Sequence, residues 1–267
     1  MPTIAQIIEA VEEFAHPDWQ ESYDNTGWQV MLPGQGETPC TGALLCVDAN
    51  PGIINEAVEK GCNLIITHHP LLFRATKQLT GQNRVDQTAI AALRAGVAIY
   101  SSHTALDSAP GGISWILAEK LGMKDTRTLD RNCEAEGRGE VGLGVIGHLP
   151  SPVDPLDFVK KVKEVCNAKV ARCSGIPAHK IEFVALCGGA GGEYIALAAR
   201  LGADAIVTAD VKHNQFLDDA KSIMTVDVGH YETESCAKEI FYELIRKKFP
   251  KFALYYSETE KNPITYL

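Results

Sequence analysis

The stretch Asn63-Leu-Ile-Ile-Thr67 is followed directly by His68-His69-Pro70. Residues 64–67 suit a buried β-strand, and the strand delivers two neighbouring imidazoles to its C-terminal end. Imidazole is the commonest metal ligand among protein side chains, and it also titrates near neutral pH. The pair therefore points to a metal site or a proton-transfer site at the tip of a strand.

The chain around this strand alternates between strand and helix patterns. Each strand in this part of the chain is followed by a helix pattern, which predicts an α/β fold with a mixed or mostly parallel sheet flanked by helices. A helix is predicted at residues 3–15, where Thr3 and Gln6 form a capping box. The further elements predicted in the first half are strands at 43–47, 64–67 and 97–101 and helices at 53–60, 87–95 and 113–121.

A second block of the same kind begins near residue 126, so two α/β lobes are predicted. The first lobe comprises residues 1–125 with 226–267, and the second comprises residues 126–225. The polar segment 130–140 is interpreted as a connection between them. The elements predicted after this segment are strands at 141–147, 168–172, 181–187, 205–208, 223–228 and 253–257 and helices at 155–166, 193–201 and 232–248.

Composition excludes several classes of function. The 267 residues carry a formal net charge of -9, which argues against a nucleic-acid partner. No stretch approaches the ~20 apolar residues that span a bilayer, and the N-terminus does not have the pattern of a signal peptide. The eight cysteines form no C-x-x-C pair, which is typical of reduced thiols in a cytoplasmic protein.

Polar clusters follow three predicted strands. His68 and His69 follow the strand 64–67, and Ser101-Ser-His103-Thr-Ala-Leu-Asp107 follows the strand 97–101. Gly229-His230-Tyr-Glu-Thr-Glu234 follows the strand 223–228. Ligands of open α/β sheets bind beyond the C-terminal ends of parallel strands, and we expect these ends to share one edge of a sheet.

Five of these side chains are candidate metal ligands. Their mixture of imidazole and carboxylate suits zinc, iron, manganese or nickel better than calcium. Five ligands are too many for one catalytic ion with an open position, but they suit two ions that share a bridging carboxylate. The candidates are His68, His69, Asp107, His230 and Glu234.

Each candidate taken singly has a plainer interpretation. Asp107 precedes Pro110 and two glycines and can be a turn residue, and Glu234 can be a first-turn acid that opposes a helix dipole. His16, His148 and His179 are interpreted as surface or hydrogen-bonded residues. It is the recurrence of such residues at three strand ends that favours a metal centre.

Together the three clusters resemble the signature of the Nif-three-like family, whose members are often called GTP cyclohydrolase 1 type 2. The segments Tyr23-Asp-Asn-Thr-Gly27 and Thr208-Ala-Asp-Val-Lys-His213 resemble two further motifs of the family. All five segments occur in the family's order and cover the chain from end to end. At Ala209 the family motif usually has glycine.

The resemblance implies a two-lobed fold with two divalent metal ions per chain. His69 and Asp107 would bind one ion, His68 and His230 the other, and Glu234 would bridge them. His103 would lie close to the metals and act on a proton in the reaction. The resemblance also implies a toroidal homohexamer and a small-molecule substrate, such as a nucleotide.

Three functions stay open at this stage. The first is a metal-dependent hydrolase of a nucleotide-like or phosphorylated small molecule. The second is a metal carrier or ligand-binding scaffold without catalysis, and the third is a purely structural role for the metals.

Three other features are weaker candidates. The glycine-rich segment Cys187-Gly-Gly-Ala-Gly-Gly192 can contact phosphate, but it lacks the dinucleotide-binding and P-loop spacings, and tight strand-to-helix packing alone would explain its glycines. From the residues alone the polar cluster Tyr23–Thr26 is interpreted as a turn, whereas the family resemblance implies that it can line the site. His213 is interpreted as a structural residue. Ser174, Ser222 and Cys236 show no partner pattern for a nucleophilic triad, which argues against a covalent mechanism.

Overall fold

The computed structural model describes residues 1–135, 137, 139–218 and 220–267, apart from the side chains at 134 and 135. The chain forms two compact units. The first consists of Met1–Ala109 with Ala237–Lys261, and the second of Pro110–Cys236 with Asn262–Leu267. Among the described helices, none is long and apolar enough to cross a membrane.

The first unit is built on a five-stranded mixed sheet in the order β1-β4-β3-β2-β11. The strands β2, β3, β4 and β11 run parallel, and β1 pairs antiparallel with β4 at one edge. The elements of this unit are α1 (Ile4–Glu12), β1 (Gly27–Val30), β2 (Ala43–Cys46), α2 (Pro51–Glu59), β3 (Leu64–Thr67), α3 (Arg84–Ala95), β4 (Ala98–Ser101), α4 (Thr104–Ser108), α10 (Ala237–Lys248) and β11 (Leu254–Tyr256).

The central strands of this sheet are buried along their whole length. Every residue of β2, β3 and β4 is buried, which explains why these strands read as continuous apolar runs rather than as alternating patterns. Helices α2 and α3 pack together, as do α1 and α10. The capping box predicted for Thr3 and Gln6 is present at the start of α1.

The second unit is built on a six-stranded mixed sheet in the order β5-β6-β8-β9-β10-β7. Strands β8, β9 and β10 run parallel to one another, whereas the pairs β5–β6, β6–β8 and β7–β10 are antiparallel. The elements of this unit are α5 (Ile113–Leu121), β5 (Lys124–Ala135), β6 (Gly139–Val153), α6 (Pro155–Val165), β7 (Arg172–Ser174), β8 (Ile181–Ala190), α7 (Ile195–Arg200), β9 (Ala205–Ala209), α8 (His213–Asp218), β10 (Met224–Asp227) and α9 (His230–Glu234).

Two mixed sheets flanked by helices confirm the predicted fold class. The bounds of the compact units differ from those of the predicted lobes. Helix α5 packs on β6 and β8, and α9 packs on β8 and β9, so the chain changes unit near residues 109 and 236 rather than near 125 and 226.

Four details of the sequence prediction are wrong. The segment 130–140 is no connection between lobes, because its described residues belong to the antiparallel strands β5 and β6, apart from Gly137, which lies in a turn between them. Residues 136 and 138 lie outside the described residues. The strand predicted at 168–172 lies at 172–174. The helix predicted at 232–248 is two helices, α9 and α10, in different units. The third strand end does not share a sheet with the other two, because β10 pairs with β9 and β7.

Candidate metal centre

The two histidines after β3 are held by backbone hydrogen bonds that extend the sheet. His68 N donates to Cys46 O at 3.2 Å, and His69 N donates to Val47 O at 2.9 Å. The hydroxyl of Thr67 donates to His69 O at 2.8 Å, which turns the chain at the strand tip. The two rings lie close together, with centroids 5.0 Å apart.

The histidine after β4 joins this pair. The rings of His68 and His103 have centroids 5.2 Å apart, and those of His69 and His103 lie 5.5 Å apart. One ligand atom from each of the three imidazoles lies within 4.8 Å of the other two. Asp107 in α4 also reaches the group, with Oδ1 3.8 Å from His68 Nε2. The first unit thus brings together four of the residues selected from the sequence.

The second unit brings together His230 and Glu234. Helix α9 begins at His230, so the two side chains lie one turn apart on one face, as their spacing predicts. His230 Nε2 lies 2.9 Å from Glu234 Oε2. Glu234 is buried, and the side chain of His230 is 29% exposed.

All four of these histidines have their Nδ1 atom in a hydrogen bond to oxygen. His68 Nδ1 lies 3.0 Å from Ser102 O, and His69 Nδ1 lies 3.1 Å from Asp48 Oδ1. The corresponding acceptor of His103 is Asp24 Oδ1 at 2.7 Å, and that of His230 is Asp210 Oδ2 at 2.9 Å. Since carbonyl and carboxylate oxygens only accept, Nδ1 carries the proton.

This arrangement fits divalent metal ions. In a neutral imidazole with its proton on Nδ1, the lone pair lies on Nε2, which is the atom that a metal binds. Histidine ligands in metalloproteins almost always donate their second ring N–H to a carboxylate, a backbone carbonyl or water. The donor set of three grouped imidazoles in one unit and an imidazole–carboxylate pair in the other suits a transition metal.

Asp24 is a strongly perturbed carboxyl group next to His103. Its carboxylate accepts from His103 Nδ1, from Thr104 N at 3.0 Å and from the Thr104 hydroxyl at 2.5 Å. Burial alone would raise the pKa of Asp24, but the hydrogen bond and charge of His103 and the Thr104 hydroxyl lower it well below its usual range. Asp24 is therefore an ionised group that orients the His103 ring, not merely a turn residue.

Among the described residues, the groups of side chains placed to hold a metal contain no cysteine. None of the eight cysteines forms a disulfide, and most are buried. Burial raises the pKa of Cys40 to about 12 and that of Cys62 to about 11, so both stay protonated at neutral pH.

The glycine-rich segment after residue 187 serves packing. Gly188, Gly189 and Ala190 are the last residues of β8, and Gly189 N donates to the Thr233 hydroxyl at 2.9 Å. A Cβ atom at Gly189 would collide with Glu234 Oε1, and one at Gly192 would approach the Gln215 amide within 2.6 Å. The glycines thus make room for side chains of the second unit, which accounts for them without a phosphate ligand.

Sequence reasoning missed the carboxylates that hold the imidazoles. Asp48 lies two residues after the end of β2, which is the same kind of strand-end signal that identified the histidines. Asp24 and Asp210 lie in the two supporting motifs, and Asp210 has a positive φ of 53°, a conformation that aspartate tolerates better than most residues. His213 lies exposed at the start of α8.

Comparison with known proteins identifies the family. The family model described as Duf34/NIF3 (NGG1p interacting factor 3) matches residues 2–263. The chain belongs to this family. This confirms the resemblance drawn from the motifs.

Relatives cover most of the chain. A Clostridium perfringens protein named "GTP cyclohydrolase 1 type 2 homolog" is 32% identical over 230 residues, which is 85% of this chain and 85% of that protein. A Nostoc protein of the same name is 32% identical over 250 residues, 91% of each. The crystal structure of a Bacillus cereus protein related to NIF3 has a TM-score of 0.91 at 22% identity and covers 100% of this chain and 99% of that chain.

Substitution of Gly189 by alanine tests the packing around Glu234. Gly189 has a φ of +63°, and the added Cβ would also displace the buried Glu234 carboxylate. We expect Gly189→Ala to lower the free energy of unfolding by about 2–4 kcal/mol, from left-handed strain of about 1 kcal/mol and overpacking of about 1–3 kcal/mol.

Gly61→Ala is the matched control, because Gly61 has a φ of +70° and open space around its Cβ position. It should cost only the strain of about 1 kcal/mol. Urea denaturation followed by circular dichroism measures both variants. Equal destabilisation by the two substitutions would contradict the tight contact.

Proposed function

We propose that this protein binds two divalent metal ions through His68, His69, Asp107, His230 and Glu234. In this proposal His69 and Asp107 bind one ion, His68 and His230 bind the other, and Glu234 bridges them, as the family resemblance implies. The observation that carries the proposal is the Nδ1 hydrogen bond of each histidine, which directs a lone pair to Nε2. Zinc, iron, manganese and nickel all suit these ligands.

The reaction best supported is metal-dependent hydrolysis of a nucleotide-like or phosphorylated small molecule. Bound divalent ions would supply Lewis-acid charge that polarises the bond to be hydrolysed. His103 would transfer a proton at Nε2, while the ionised Asp24 holds Nδ1–H and fixes the ring. The name shared by the Clostridium and Nostoc relatives makes opening of the purine imidazole ring of GTP the first reaction to examine.

A metal carrier or ligand-binding scaffold is the second candidate. Its supporting observation is exposure: the side chain of His69 is 21% exposed, and the carboxylates that hold His69 and His230 are 41% and 56% exposed. Partly exposed ligands favour exchange of an ion with a partner. This candidate predicts metal transfer without turnover.

The resemblance also supports assembly as a toroidal homohexamer in the cytoplasm. Eight cysteines without a disulfide suit a reducing compartment. Size-exclusion chromatography with light scattering should give a mass of about six chains of 28.9 kDa. A mass of one chain at micromolar concentration would contradict this assembly.

Elemental analysis tests the metal proposal. We expect close to two divalent ions per chain in protein reconstituted with each candidate metal and then desalted. His69→Ala and Glu234→Ala should each bind at most one ion, because each substitution removes a ligand. His148→Ala is the control, since His148 is exposed and contacts Phe183 rather than the site. Wild-type protein that stays metal-free after reconstitution would overturn the proposal.

Turnover distinguishes the hydrolase from the carrier. Metal-loaded protein is incubated with GTP and with a panel of phosphodiesters, and products are separated by liquid chromatography. We expect hydrolysis of at least one compound by the wild type and by His148→Ala, with a loss of at least about 100-fold in His69→Ala and Glu234→Ala. Full metal loading without turnover, together with release of the metal to a chelator, would favour the carrier.

A further inference from the structure

A basic segment lies directly after the histidine pair. Residues 70–85 contain Arg74, Lys77 and Arg84 and no acidic residue. The whole chain has 34 acidic and 25 basic residues, so the charge of this segment is opposite in sign to the net charge of the protein. Arg74, Lys77 and Arg84 are all exposed, and none of the functions derived above uses them.

The three cations line one cavity of about 540 Å³ in the first unit. In the part of the chain that the structure describes, none of the three forms an ion pair with a carboxylate. Arg84 Nη1 donates to Ala49 O at 2.6 Å, which fixes the position of its guanidinium group. The cavity therefore presents positive charge that the described residues leave uncompensated.

One carboxylate, that of Asp86, also lines the cavity. It is 3% exposed and accepts from Thr80 N at 3.2 Å and from the Thr80 hydroxyl at 3.4 Å. Asp86 lies in the first turn of α3, where the helix dipole favours a negative charge. The lining therefore contains three cationic side chains and one carboxylate, which is hydrogen-bonded to Thr80. The net charge of the cavity lining is positive.

The cavity adjoins the imidazole cluster of the same unit. Its lining begins at Pro70, the residue after His69, and includes Phe73. The Phe73 ring lies 6.1 Å from the ring of His103, edge to face. A molecule with one end in the cavity can therefore extend past Phe73 to the imidazoles.

We propose that this cavity binds the phosphate groups of the substrate, an inference that rests on the proposed function and specifies its substrate class. Arginine presents a planar fork that matches phosphate oxygens, and lysine adds a compact point charge. The volume lies in the range of pockets for small ligands of nucleotide size. The substrate class is a compound with a terminal diphosphate or longer phosphate chain, whose other end reaches the imidazole cluster.

Binding of inorganic pyrophosphate tests this inference separately from the metal proposal. Isothermal titration calorimetry is performed on protein freed of metal with a chelating resin and on metal-loaded protein. The test variant is Arg74→Gln/Lys77→Gln. The matched control is Lys180→Gln/Arg200→Gln, which removes the same charge from two exposed cations of the second unit. Circular dichroism and metal content are recorded for every sample.

We expect the metal-free wild type and the control to bind about one pyrophosphate per chain, and the test variant to bind at least about tenfold more weakly with unchanged metal content. GTP should bind more tightly than guanosine to the wild type, and this preference should shrink in the test variant. Equal affinity in the test and control variants would overturn the inference, as would pyrophosphate binding that disappears when metal is removed. Failure of the chain to bind metal would leave the predicted pyrophosphate result unchanged.

Discussion

A neutral imidazole has one N–H and one lone pair, and the hydrogen bond at one nitrogen decides what the other can do. In this chain that bond is made at Nδ1 of His68, His69, His103 and His230, each time to an oxygen acceptor. Four lone pairs are thereby fixed on Nε2. Without these acceptors the rings could adopt the other tautomer, and the proposed metal and proton chemistry would lose its ligand atoms.

The surrounding fold positions the segments that carry the candidate site residues. In the first unit, Thr67 and Ser101 end adjacent strands and their hydroxyls lie 2.6 Å apart, which joins the two loops that carry the histidines. In the second unit, Gly189 leaves the space that the Glu234 side chain occupies, and the Thr233 hydroxyl accepts from Gly189 N. Because most of these groups are buried, each loss of a partner would leave a costly unsatisfied polar atom.

Local sequence patterns predicted the parts of the fold that local forces determine. Strand β3 and helix α5 have the predicted bounds, since a continuous apolar run and a helical period ending in glycine need no tertiary information. The polar strand β5 was missed because its pairing with β6 is what makes it a strand. The break between α9 and α10 was missed because the helical pattern continues across it, although the chain changes unit there.

The candidate site was also predictable only in part. The histidines could be identified because they follow strand patterns in the sequence. The carboxylates that accept from them could not be identified, because Asp24 is 79 residues from His103 and Asp210 is 20 residues from His230. Only folding brings such partners together, so their roles could not be derived from spacing.

Anomalous X-ray diffraction at the absorption edge of the bound metal tests the central claim most directly. Crystals of reconstituted protein should show two anomalous peaks per chain, each bonded to histidine Nε2 at about 2.0–2.1 Å and separated by about 3.5–4 Å. Metal bonded to Nδ1, metal at the cysteines, or no peak beside His68, His69 and His230 would contradict the account.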